Sequence, residues 1–186
     1  MAYLTKSLDH NLRRQTLFTR LIGAVMTLCI PFACQQAVAD TVTGTFQVKI
    51  TIRASCTVTA GAATDIDFGA NLASATNLQA QNSIKVNCSK GTPYYVGLSP
   101  SNGNTAGAGV MTETSGGTDT VAYQLRSTAG MAGTVWGNTA TASSAGNGVG
   151  GAGSGADQSI PVYATVASAN SRPGGYADTV TISVHY

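Results

Sequence analysis

Three arrangements in this sequence have residue types and spacing that could support chemistry. Gly146, Gly148 and Gly151 satisfy G-x-G-x-x-G, and Gly148, Gly150 and Gly153 satisfy it again. In a dinucleotide site that pattern joins a strand to a helix, whose N-terminus receives a pyrophosphate. Here no hydrophobic strand precedes the glycines and no helical period follows, so composition accounts for the match. His185 is the single histidine after residue 39. A Ser-His-Asp relay would have to place its base on a terminal strand, and an outward-facing strand residue is the simpler reading. Asp65 and Asp67 could share a face as a carboxylate pair. Alternating with Ile66 into Phe68-Gly69, they read more simply as punctuation at a strand entry. No metal constellation and no catalytic or cofactor site is expected, and the chain reads as a non-enzyme.

Cysteine chemistry depends on which part of the chain is retained. Lys6, Arg13, Arg14 and Arg20 precede an apolar run from Leu21 to Cys34, and Ala37-Val38-Ala39 forms a small-x-small cleavage site before Asp40. Residues 1–39 therefore read as a secretory signal peptide. The apolar run is shorter than the roughly 18 residues a membrane span needs. Pro31 and Phe32 stand before Cys34 where a lipoprotein signal wants small and branched residues. Cleavage removes Cys29 and Cys34 and leaves Cys56 and Cys88 in a chain of single-domain size. An oxidising compartment favours their pairing, and closing that loop is worth about 3–4 kcal/mol by chain entropy. The alternative, a cysteine metal site, lacks a second pair and a nearby histidine. The Asn87-Cys88-Ser89 sequon loses its meaning if Cys88 is buried in a disulfide.

Charge narrows the partners. After residue 39, Lys49, Arg53, Lys85, Lys90, Arg126 and Arg172 are balanced by Asp40, Asp65, Asp67, Glu113, Asp119, Asp157 and Asp178. There is no basic stripe for nucleic acid or an anionic membrane.

The elements read as strands and turns. In TVTGTFQVKITIRASC, residues 41–56, Val42, Phe46, Val48, Ile50 and Ile52 alternate with polar residues, interrupted on that face by Gly44. That is a strand pattern with one buried face, yet the run is roughly twice the modal strand length and contains no turn. Strands are predicted at Ile50–Thr59, near Ile66–Phe68, and at Ser83–Cys88, Pro93–Leu98, Val121–Arg126, Ile160–Val166 and Thr179–Tyr186. Asn71–Gln81 has room for a helical turn, while Ser101–Gly117 and Ala140–Gly155 read as low-complexity loops. Short alternating strands between Gly, Asn and Ser turns predict an all-β sandwich rather than a helical or βαβ fold. The front carries more extended sequence than one first strand needs, and the sequence stops at Tyr186 directly after a strong strand. A surplus strand at one end and a vacancy at the other is the pattern of donor-strand exchange.

Several short motifs occur in an order that resembles a known family. They are Thr43-Gly44-Thr45-Phe46, Ser55-Cys56-Thr57-Val58, Phe68-Gly69, Val86-Asn87-Cys88, Ala122-Tyr123-Gln124-Leu125, Val135-Trp136-Gly137 and Gly175-Tyr176-Ala177-Asp178-Thr179-Val180. Together they resemble the spore coat protein U domain, and within it the major subunit of archaic, Csu-type chaperone–usher pili. The resemblance implies an incomplete immunoglobulin-like β-sandwich lacking its last strand and completed by donor-strand complementation. It implies a pilin that polymerises into a surface pilus serving attachment and biofilm formation. The implied partners are neighbouring copies of the same subunit, a periplasmic pilus chaperone, an outer-membrane usher, and other pilus subunits including a tip adhesin. The implied location is the cell surface, reached through the periplasm.

On this reading residues 40–49 are the donor segment, with Val42, Gly44, Phe46 and Val48 as donor positions, and residues 50–186 are the pilin domain. Val180, Ile182, Val184 and Tyr186 of the C-terminal strand would border the acceptor groove. Classical pilins carry a penultimate aromatic, whereas here His185 is penultimate and Tyr186 is last. Two alternatives stand beside it. One is a secreted, non-fibrous, spore-coat-like surface protein with a self-complemented sandwich. The other is a carbohydrate-binding sandwich, for which Trp136 would be the stacking residue, although a core tryptophan is the commoner case.

Overall fold

A computed structural model describes residues 40–60 and 65–186. The signal-peptide reading of residues 1–39, with Cys29 and Cys34, lies outside the described residues. The chain divides into two units, Met1–Val48 and Lys49–Tyr186. In the first, residues 40–48 form no strand or helix and are exposed throughout.

The second unit is built from strands: β1 (Cys56–Thr59), β2 (Thr76–Cys88), β3 (Pro93–Pro100), β4 (Ala108–Glu113), β5 (Thr120–Arg126), β6 (Val149–Ala152), β7 (Gln158–Ser168), β8 (Tyr176–Ala177) and β9 (Val180–His185). One sheet has the order β1-β2-β7-β5-β4-β8 and the other β6-β3-β9. Every pairing is antiparallel. The alternation read from the sequence explains the core between the sheets, because a period of two sends one set of side chains inward. Ile84, Val86 and Cys88 of β2, Val121, Tyr123 and Leu125 of β5, and Ile160, Val162, Ala164 and Val166 of β7 meet Tyr94, Val96 and Leu98 of β3.

Trp136 ties the two sheets together. It is completely buried, its indole Nε1–H donates to the Val96 carbonyl at 2.9 Å, and its backbone N–H donates to Leu125 at 3.0 Å. Buried indoles need such a partner. A tryptophan with no exposed surface cannot stack on sugar, which removes the basis for the carbohydrate reading.

The structure differs from the expected elements in several places. Ile66 and Phe68 pack half-buried against the core without belonging to a strand. Their alternation buries side chains, but the Asp67 carboxylate accepts the Gly69 N–H at 2.7 Å and turns the chain. Asn71–Gln81 holds a turn closed by Ala75 N–H to Leu72 O at 2.9 Å, and β2 begins at Thr76. Both low-complexity stretches contain strands, β4 and β6. In β6, Gly150 and Gly151 lie opposite Tyr95 and Tyr94. A Cβ on Gly151 would come within 2.5 Å of the Tyr94 ring, so the space of the missing side chain is taken by the tyrosine.

Candidate functional site

The first and last strands are both at sheet edges. Among the described residues, hydrogen bonding joins β1 to β2 alone and β9 to β3 alone. The two edge strands come within 8 Å of each other, Cα to Cα, without pairing. Unpaired edges present rows of free N–H and C=O groups, a template for another strand. The apolar face beside them is open as well. Val180, Ile182 and Val184 share a face of β9 and pack on the core, but each is only half-buried, unlike Val96 and Leu98 on the adjacent β3. Tyr186, one residue past the strand, is 53% exposed.

One side of this opening is held covalently. Cys56 and Cys88 are register partners and form a disulfide, with Cα atoms 4.1 Å apart. The neighbouring residues add Ser89 N–H to Ser55 O at 2.9 Å and Ser55 N–H to Ser89 Oγ at 3.1 Å. Pairing therefore starts at Ser55. The strand expected over Ile50–Thr59 is shorter than its sequence pattern, because Lys49–Ala54 joins no ladder. Val42, Phe46, Val48, Ile50 and Ile52 are 82–94% exposed, and nothing lies within 4 Å of where a Gly44 Cβ would be.

The other side is anchored at the start of β9. Tyr123 Oη donates to Asp178 Oδ2 at 2.6 Å, and the Thr179 N–H donates to Asp178 Oδ1 at 2.8 Å. Burial pushes the Asp178 carboxyl up, but hydrogen bonds from Ser101, Tyr123 and the Thr179 and Ser101 backbone outweigh it and hold the group below the usual carboxylate range. Burial, then the hydrogen bond to Asp178 and its negative charge, push the Tyr123 hydroxyl well above its ordinary value. The signs follow from linkage. The Asp178 contribution is complete above the unfolded carboxylate value of about 4 and is lost as pH falls through the lower folded value. The Tyr123 contribution is complete below the unfolded phenol value of about 10 and is lost as pH rises beyond it. The stability gap between the native chain and Tyr123→Phe is therefore widest near neutrality and narrows at both extremes. Thermal melts across pH check this, and parallel curves for the two proteins would contradict it.

The residues with chemical potential are scattered. The glycines of both G-x-G-x-x-G matches run through turns and β6 rather than into a helix. His185 ends β9 opposite Tyr95. Asp67 closes a turn onto Gly69, and the Asp65 carbonyl accepts from Asn82 at 2.7 Å. Among the described residues no group of three His, Cys, Asp or Glu side chains could hold a metal ion.

Sequence comparison decides the family. The sequence model of the Spore Coat Protein U domain matches residues 42–183. The chain belongs to the Spore Coat Protein U domain family. No curated protein sequence matches it. Among solved structures, it is similar to a chain in a complex described as a CsuC–CsuE chaperone–tip adhesion subunit pre-assembly complex from archaic chaperone–usher Csu pili of Acinetobacter baumannii. Identity is 25% and the TM-score 0.48, with 73% of this chain and 40% of that chain covered. This chain thus spans about two fifths of the length of that one.

The spore coat U match begins at Val42 and so takes in the exposed segment as well as the sandwich. Reading residues by pattern finds the cysteines and the apolar face of β9, and it misses the Tyr123–Asp178 contact. An acidic residue directly before a strong strand was the available signal, but its partner is 55 residues away in sequence.

Proposed function

We propose that this spore coat U domain is a pilus subunit that polymerises by donor-strand exchange. Thr41–Val48 of one copy enters the opening between β1 and β9 of the next, with Val42, Gly44, Phe46 and Val48 facing its core and Val180, Ile182, Val184 and Tyr186 along its border. Residues 40–49 serve as the donor and residues 50–186 as the acceptor domain, after removal of residues 1–39. A periplasmic chaperone protects the opening before assembly, and an outer-membrane usher exchanges it for the next subunit. The product is a cell-surface pilus for attachment and biofilm formation, built with other subunits that include a tip adhesin.

The observation carrying this reading is the half-open apolar face between two unpaired strand edges, in a chain that also carries an exposed strand-patterned segment. Such an opening is an aggregation hazard unless filled. A strand inserted there satisfies backbone groups on both edges and buries the donor's apolar side chains. Each of Val42, Phe46 and Val48 contributes roughly 1.5–3 kcal/mol on burial. Release would require the sandwich to open, so the joint's durability is a rate rather than an affinity.

Deleting residues 40–48 tests the proposal. The truncated chain should remain short of polymer on size-exclusion chromatography and should take up a synthetic Thr41–Val48 peptide. A full-length chain that stays monomeric and takes up no peptide would instead favour the self-complemented, non-fibrous protein.

A further inference from the structure

Between β8 and β9 the chain leaves one sheet and joins the other within two residues, Asp178 and Thr179. Before the crossing, β8 pairs with Thr112 and Glu113 of β4, reinforced by Thr114 N–H to Gly175 O at 2.8 Å. After it, β9 pairs with β3 from Pro100↔Val180 onward. The direction of β9 as it sets out along the open edge is thus decided at Asp178.

Two groups from opposite sheets converge on that carboxylate. Ser101, directly after β3, helps to hold that carboxyl below the usual carboxylate range. Tyr123 reaches it from β5, across β4, at 2.6 Å. The reach depends on Gly109, the register partner of Tyr123. A Cβ there would lie 2.0 Å from the ring, so β4 leaves a slot through which the phenol passes. Tyr123 is itself 8% exposed. A buried ring with a single polar tip, aimed at the one carboxylate at the sheet crossing, has a more specific geometry than core filling requires.

We propose that the Tyr123–Asp178 hydrogen bond is a positioning latch for the acceptor opening: it fixes the origin of β9 and thereby the spacing between β9 and β1 that an incoming strand must match. Tyr123 and Asp178 touch no donor residue in this scheme and act through β9. The inference rests on the donor-strand reading above for its consequence, and on the sheet crossing for its geometry.

Tyr123→Phe isolates the hydroxyl, since the ring still fills the core. Asp178→Asn is the conservative partner change, retaining an acceptor oxygen. The experiment combines hydrogen-exchange mass spectrometry of the purified full chain with the rate at which it takes up a synthetic Thr41–Val48 peptide. In Tyr123→Phe, amides of β9 should exchange about tenfold faster, as loss of one hydrogen bond to a charged group allows. Those of β2 and β7 should be unchanged, and the peptide uptake rate should shift severalfold. Asp178→Asn should restore much of the β9 protection relative to Asp178→Ala. Uniformly faster exchange across β2, β7 and β9 would overturn the latch and leave an ordinary stabilising contact. Unchanged β9 exchange in Tyr123→Phe would overturn it as well. A native chain that stays monomeric and takes up no peptide overturns the polymerisation reading instead, and the exchange pattern then still decides whether the latch holds β9.

Discussion

If Thr41–Val48 is the donor strand, Phe46→Asp should abolish fibres while leaving the domain able to fold with a chaperone. Phe46 is 88% exposed, so the chain's own folding draws little on its side chain. In a neighbour's opening the same position would face the half-buried row of Val180, Ile182 and Val184. Losing a buried aromatic forfeits roughly 1.5–3 kcal/mol, and placing an unpaired carboxylate against an apolar surface costs several kcal/mol more. The period of two supplies an internal control. Gln47→Asp puts the same charge on the opposite face and should be tolerated far better. Electron microscopy and sedimentation measure the polymer, and circular dichroism confirms that the variant is folded. Normal fibres from Phe46→Asp would show that the donor lies elsewhere.

Removing the disulfide has the second large effect. β1 is four residues long, and its ladder consists of the pairs from Cys56↔Cys88 to Thr59↔Lys85. So short an edge strand has little holding it beyond the covalent link. Losing about 3–4 kcal/mol of loop-closure entropy takes a large part of the stability expected of a domain this size. Cys56→Ser with Cys88→Ser should lower the melting temperature by roughly 10 °C. It should also prevent polymerisation, because one wall of the opening is no longer fixed. Alkylation and mass spectrometry without reductant should find no free thiol at Cys56 or Cys88 in the purified protein. A double variant that melts within a degree or two of the native chain would remove the disulfide from this account.

The difference between pattern and structure has a physical cause at each site. Five strands were legible because their inward residues are large and strictly alternate, as in Ile84, Val86 and Cys88 or Tyr94, Val96 and Leu98. β6 was hidden because its inward space is filled from the partner strand: Tyr94 supplies the bulk that Gly151 lacks, while Tyr95 covers Gly150 on the opposite face. The first half of β2 was obscure for a related reason. Around Leu78 and Ala80 its residues are polar, yet the stretch still pairs with β7 through Leu78↔Val166 and Ala80↔Ala164. Ile66 and Phe68 show the converse, alternation without a ladder. At the front of the chain, the alternating pattern runs on without a break from Val42 to Val58 save at Gly44 and Ala54. Periodicity states that a segment can be a strand; which edge it pairs with is a tertiary property. The chain itself settles this at Ser55, where the backbone first bonds to Ser89.

That starting point has a mechanical consequence. In a fibre of such subunits, tension enters each domain along the segment that precedes Ser55. The first strand it meets is the four-residue β1, which would peel if its hydrogen bonds alone carried the load. The link from Cys56 to Cys88 passes the force instead to the end of β2. That strand is thirteen residues long and is laid along β7 from Thr76↔Ser168 to Val86↔Gln158. A pull along the strand axis loads the many hydrogen bonds of such a ladder together in shear. A single covalent bond thereby moves the load from a four-residue edge strand to the longest seam of the sandwich.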